Sequence, residues 1–227
     1  MKKTILILSL LILLSACSNA ATNDSGNGNS TANPGQNQNT GAAKPSPAPA
    51  ETNTDGEEQP VKAKTEQEAA AAVILALKDA DLATLASYIH PDKGLLFSPY
   101  AHIETVSAKV FQAADLPAMS DPTVYNWGSY DGTGEPIELT FQQYYDKFVY
   151  GKDFMEAETV GVNEIKGMGN TLVNIEEVFP GSFVMDYYFS GFDKQYEGMD
   201  WESLILVLEE FVGAWYVSAI VHSQWTI

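Results

Sequence analysis

The chain has 227 residues, in which 12 lysines and no arginine face 30 acidic side chains, a net charge of −18. Such a surface repels phosphate backbones and anionic headgroups, which excludes nucleic acid as a partner. One cysteine and three histidines leave little for disulfides or a metal centre, and no cofactor or metal is expected.

Residues 1–16 read as an export signal. Lys2 and Lys3 precede an apolar run from Ile5 to Leu14 broken only by Ser9. That run is about half the ~20 residues a membrane-spanning helix needs, so it fits the h-region of a signal peptide. Leu14-Ser15-Ala16-Cys17 follows, and it resembles the lipobox of bacterial lipoproteins. The resemblance implies cleavage before Cys17 and acylation of its thiol. The expected address is then the outer face of a membrane, with the bilayer held through Cys17. If the envelope has two membranes, the outer one is expected, because position 18 is not aspartate.

Residues 17–65 follow as a tether. Ser18 to Thr65 has no aromatic residue and no Leu, Ile or Met, and is built mostly from Asn, Gly, Ser, Thr, Ala and Pro. Such a segment cannot bury enough apolar surface to offset its ordering entropy, which predicts disorder. A flexible coil of about 48 residues reaches roughly 40 Å.

Residues 66–227 form one domain that carries the full negative charge. In Glu66 to Lys78 the apolar positions Ala70, Val73, Ile74 and Leu77 recur at helical spacing. Asp79-Ala80-Asp81 breaks that helix. Asp81 caps a second one with Leu82, Leu85 and Ile89 on one side, and Pro91 stops it. Val124–Tyr130 and Pro136–Leu139 flank the turn Asp131-Gly132-Thr133-Gly134, a hairpin signature. Phe141, Tyr144, Tyr145, Phe148 and Val149 return to helical spacing and read as core.

Strands are predicted around 157–163, 171–178, 183–189, 203–210 and 214–226, the last two joined near Val212-Gly213. In the final run, alternation places Trp215, Val217, Ala219, Val221 and Trp225 on one apolar face. Tyr216, Ser218, Ile220, His222 and Gln224 fall on the other. Helices followed by an antiparallel sheet give an α+β architecture.

Two stretches carry a further resemblance. The opening helix, its break at Lys78-Asp79-Ala80-Asp81, Leu85 and His90-Pro91-Asp92 are similar to the start of the nuclear-transport-factor-2-like (SnoaL-like) superfamily. Gly213 to His222 is similar to its last strand, although Ala80 stands where that superfamily usually has glycine. The resemblance implies helices packed on a curved antiparallel sheet, a cone enclosing a cavity. His90 to Tyr100 and Trp127 to Pro136 also resemble a set of bacterial exported proteins without an assigned activity. No catalytic residues are carried over.

Candidate chemistry is sparse. His90, His102 and His222 lack the spacing by which one helix supplies two metal ligands. His90 reads as a helix-terminal residue facing free carbonyls. Asp81 or Asp186 is the candidate base for an acid/base pair in the cavity. Competing readings make Asp81 a cap and put Asp186, with Val184 and Tyr188, on a solvated sheet face. Asp131 to Glu135 lacks the oxygen ligands of a calcium loop and reads as a turn. Phe192 to Glu202 is an acidic-aromatic contact loop unless Met199 and Trp201 fold back on the core. The candidate ligand or partner contacts are Tyr125, Trp127, Tyr187, Tyr196, Trp201 and Trp225.

Three functions remain open. The first is a non-catalytic module binding a small ligand or an envelope protein. The second is a cofactor-free isomerase or hydrolase. The third is a homodimeric structural module pairing through Tyr216, Ile220 and their neighbours.

Overall fold

The computed structural model describes residues 62–226. The signal peptide, Cys17 and the tether up to residue 61 lie outside the described residues.

Helix α1 (Glu66–Lys78) starts where its sequence says it should. The Thr65 hydroxyl accepts from the Glu68 backbone N–H at 3.2 Å, and the Glu68 carboxylate accepts from the Thr65 N–H at 3.3 Å. This reciprocal cap satisfies two donors a helix start would otherwise leave bare. The helix ends in a pair of bonds, from Asp81 N–H to the Ala76 carbonyl and from Ala80 N–H to Leu77. Such a pair needs a left-handed residue between helix and exit, and Ala80 supplies it at φ +51°. Asp81 then caps α2 (Leu82–Ser87) through Thr84. Val73, Ile74 and Leu77 are buried, each stabilising by about 1.5–3 kcal/mol.

The sheet contains β1 (Leu95–Ser98), β2 (Lys109–Phe111), β5 (Thr159–Val162), β6 (Phe183–Phe189), β7 (Glu202–Phe211) and β8 (Ala214–Gln224), in the order β2-β1-β8-β7-β6-β5. It is mixed. β1 runs parallel to β8, whereas every other junction is antiparallel. β3 (Val124–Ser129) and β4 (Pro136–Thr140) form a separate hairpin, which leads into α3 (Phe141–Tyr144) and a wider π turn over Tyr145–Val149. The segment 171–178 is not a strand. Leu172 and Val173 are exposed, and the chain closes into one helical turn, α4 (Ile175–Val178).

Both sheet faces are covered. On one, α1 and the β3–β4–α3 unit bury Leu204, Leu206, Leu208, Val217 and Ile220. Six rings, Phe97, Trp127, Phe141, Tyr144, Phe148 and Phe154, are almost fully buried in this layer, with Trp127 stacked on Tyr144 at 3.8 Å. The opposite face buries Leu96, Ile205, Val207, Ala219 and Val221 under Ile103, Ile175 and Phe179.

Strict alternation fails in β8. Val207 pairs with Ala219 but Leu208 pairs with Val217, so Ser218 is an extra residue. This bulge reverses which side chains point to which face. Val217 therefore joins Ile220 in the first core, and Ala219 and Val221 enter the second. Among the described residues no helix is long and apolar enough to cross a membrane.

Candidate functional site

Because β1 and β8 are parallel, the chain leaves both at the same end of the sheet, and three loops meet there. The loop after β1 is held from below. Ser98 donates to the Tyr100 carbonyl at 2.7 Å, and the Asn174 side chain bonds both the N–H and the carbonyl of Ile103, at 2.7 and 3.1 Å. The β3–β4 turn forms a second wall, its Asp131 N–H donating to the Tyr100 hydroxyl at 3.1 Å. Residues 170–172 form the third. Thr171 and Thr226 share a hydroxyl bond of 2.6 Å, and His102 Nδ1 lies 3.2 Å from the Leu172 carbonyl.

Between these walls is an open cleft of about 960 Å³. Its lining mixes hydroxyl, amide and carboxylate groups with apolar surface, with Tyr100, Tyr130 and the His102 imidazole as its ring members and Leu172 as its one aliphatic side chain. Among the described residues, the lining contains Glu104 and Asp131 but no lysine. Burial pushes the Tyr100 hydroxyl above its ordinary range, so it stays protonated at neutral pH. Lys147 sits outside the lining with its ammonium 4.5 Å from the Tyr130 ring centroid, holding that ring in place. His102 Nε2 is 3.5 Å from Glu104 Oε1, but the two side chains are 45% and 72% exposed. Glu104 is the more exposed of the two.

Each histidine has its own role. His90 is buried at the end of the α2 segment, where its Nδ1 accepts from the N–H groups of Asp92 and Lys93 at 3.2 and 3.1 Å. It therefore faces donors rather than the carbonyls expected, and burial lowers its pKa. His222 is buried against Phe148, with Nδ1 3.2 Å from the Pro99 carbonyl and Nε2 3.1 Å from Glu202. A carbonyl can only accept, so Nδ1 carries a proton. This contact pins the backbone just before Tyr100. Among the described residues no group of three His, Cys, Asp or Glu side chains is arranged to hold a metal ion.

Neither candidate base lines the cleft. Asp81 is the exposed cap of α2, and bonds from Thr84 hold its carboxyl below the usual range. Asp186 does share a face with Val184, as alternation requires, but that face is not solvated. Loop 163–173 and α4 lie over it, and Asp186 is 0% exposed. Its Oδ2 accepts from Lys166 N–H at 2.6 Å and Gly167 N–H at 3.4 Å. Burial nevertheless raises its pKa, the larger effect over those bonds. Where a conical cavity was expected, aromatic rings fill the layer between helix and sheet.

The six aromatic contact candidates do not converge. Trp127 is core, its Nε1 donating to the Leu139 carbonyl at 3.0 Å. Tyr125 packs beside it, and Tyr187 and Trp201 are also buried. Trp201 lies under loop 166–169, where a Cβ on Gly167 would come within 2.2 Å of its ring. Tyr196 and Trp225 are on the surface, Trp225 immediately before Thr226 of the cleft. Tyr216 and Ile220 are buried within the chain, so neither supplies an open dimer face.

Sequence reasoning missed Tyr100, Glu104, Tyr130 and Asn170 as a group. They come from three separate loops, which meet at the end of the sheet where β1 and β8 run parallel. The turn signal at Asp131 to Gly134 was the one available pointer. No family model matches the chain, and no curated protein or solved structure matches it.

Proposed function

We propose that this protein is an exported, lipid-anchored binding module whose ligand site is the cleft at the β1–β8 end of the sheet. The lipobox-like Leu14-Ser15-Ala16-Cys17, with the chain's sole cysteine at the acylated position, supports the address. The α1–α2 break and the long antiparallel β6–β8 meander support a nuclear-transport-factor-2-like shape.

One observation carries the binding reading. The described domain begins beside the β8 start, where Ala63 accepts from Trp215 N–H at 3.1 Å, while the cleft opens beyond the β8 end. Those 11 residues span roughly 36 Å at ~3.3 Å per residue. A domain tethered through residue 62 thus carries its cleft on the side away from its attachment. A catalytic reading has the His102–Glu104 pair in its favour, but its 3.5 Å separation is longer than a well-made hydrogen bond and both side chains are exposed.

Thiol labelling tests this. With Cys17 acylated, Leu172→Cys supplies the only free thiol, and a membrane-impermeant maleimide should label it on intact cells. If the cleft is occupied there, labelling is slower in cells than on purified protein, whereas Val212→Cys at the other end shows no such slowing. Labelling only after lysis refutes export, and equal rates at both positions refute an occupied cleft. Separately, Cys17→Ala should accumulate as precursor, and normal processing refutes the anchor.

A further inference from the structure

We propose that the cleft binds a neutral oligosaccharide, an assignment that rests on the cleft being a ligand site. The argument is one of matching and elimination. Anionic ligands, including phosphates and uronic acids, need a cation free to meet them; among the described residues the lining has no lysine, its His102 faces Glu104 at 3.5 Å, the rim ammonium of Lys147 is turned to the Tyr130 hydroxyl at 3.3 Å, and Asp131 adds a second carboxylate. Lipid chains and the apolar anchors of a peptide need aliphatic walls, and Leu172 alone supplies one.

What the cleft offers suits a sugar. Pyranose rings present C–H faces that pack on aromatic rings, and Tyr100 and Tyr130 are the half-buried aromatic members of the lining. Their rims of hydroxyls need donors and acceptors together, as Ser107, Asn170 and Thr171 provide. The walls are held before any ligand arrives. Lys147 fixes Tyr130, Asp131 N–H fixes Tyr100, and Thr226 fixes Thr171. Preorganisation of this kind lowers the ordering cost of binding. At about 960 Å³ the space is near the top of the ~300–1,000 Å³ range of small-molecule pockets, room for several rings.

The test is calorimetric titration of the full-length protein in detergent micelles. The probes are neutral tetrasaccharides of glucose, mannose, galactose and N-acetylglucosamine, with polygalacturonate and a mixed lysine–leucine peptide as competitors. At least one neutral tetrasaccharide should bind, and polygalacturonate should not. Tyr130→Ala should weaken that binding about tenfold and Asn170→Ala about fivefold, as loss of one stacking surface and one hydrogen bond requires. Val160→Thr on the far β5 edge should leave it unchanged. Failure of all four sugars overturns the proposal, as does tighter binding of the peptide or the uronate, or sugar binding indifferent to both cleft substitutions. If Leu172→Cys is shielded in cells while no sugar binds, the sugar assignment alone fails; if it is unshielded as well, the binding reading falls with it.

Discussion

Asp186→Asn is the substitution that most directly tests the electrostatics of the second core. The carboxylate is fully buried, its Oδ2 holding Lys166 N–H and Gly167 N–H, while Oδ1 has no hydrogen-bond partner among the described residues. Ser203 lies near enough to favour the charge without forming a well-made bond. Desolvation outweighs these contacts and raises the folded pKa above the ordinary carboxylate value. The sign follows from that. A raised pKa means the folded state holds its proton more tightly, so this group's stabilisation is complete below pH ~3.9 and is lost as pH rises through the folded pKa. Each unit of elevation corresponds to about 1.4 kcal/mol of penalty at neutral pH. Asparagine keeps an acceptor for Lys166 N–H, removes the charge, and presents an NH2 toward Ser203. Urea unfolding followed by tryptophan fluorescence should therefore find Asp186→Asn more stable than wild type at pH 8. The gap should close or reverse by pH 4. Comparing the two proteins cancels carboxylates shifted the other way, such as Asp153, held down by Lys78, and Glu158, held down by Ser190. A variant less stable at pH 8, by an amount independent of pH, would refute the reasoning.

Two backbone sites should respond to substitution without touching the core. Ala80 and Val212 both sit at φ +51°, where a side chain costs about 1–2 kcal/mol relative to glycine. Ala80→Gly and Val212→Asn should each raise the thermal midpoint, by up to about 1 kcal/mol in stability. Trp127→Ala removes a ring 1% exposed and stacked on Tyr144, and should cost about 3–5 kcal/mol in urea unfolding. Gly167→Ala drives a methyl to 2.2 Å from the Trp201 ring. It should displace loop 166–169, and hydrogen exchange at Lys166 and Gly167 should quicken while α1 stays protected.

The parts of the fold legible in the sequence were those whose local chemistry and apolar period agree. Ala70, Val73, Ile74 and Leu77 specify α1 before any tertiary contact is known, and Asp81 as its cap specifies α2. The β3–β4 turn and the β6–β8 runs were equally readable. β1 and β2 were not, being four and three residues long and paired only through partners distant in sequence. Residues 171–178 carry β-branched side chains, yet Val173 stays exposed and Ile175 and Val178 curl into a single turn, because α4 caps the sheet instead of joining it. Asp186 was assigned to the correct face and the wrong environment. Alternation reports direction and says nothing about what lies over that face. The Ser218 bulge is the same lesson in β8, since one extra residue reversed an alternation that every neighbouring side chain supported.

The bond from Trp215 N–H to the Ala63 carbonyl has a mechanical consequence. Any pull that reaches the domain from its N-terminal side is borne early by this amide contact, together with Lys62 over the Tyr216 ring and the buried Ala63 side chain, next to the β7–β8 turn. It would peel open there one link at a time, rather than shear the whole meander at once. The Thr65–Glu68 cap stands next in line, and the walls formed by Tyr100, Tyr130 and Thr171 are the last to feel the load.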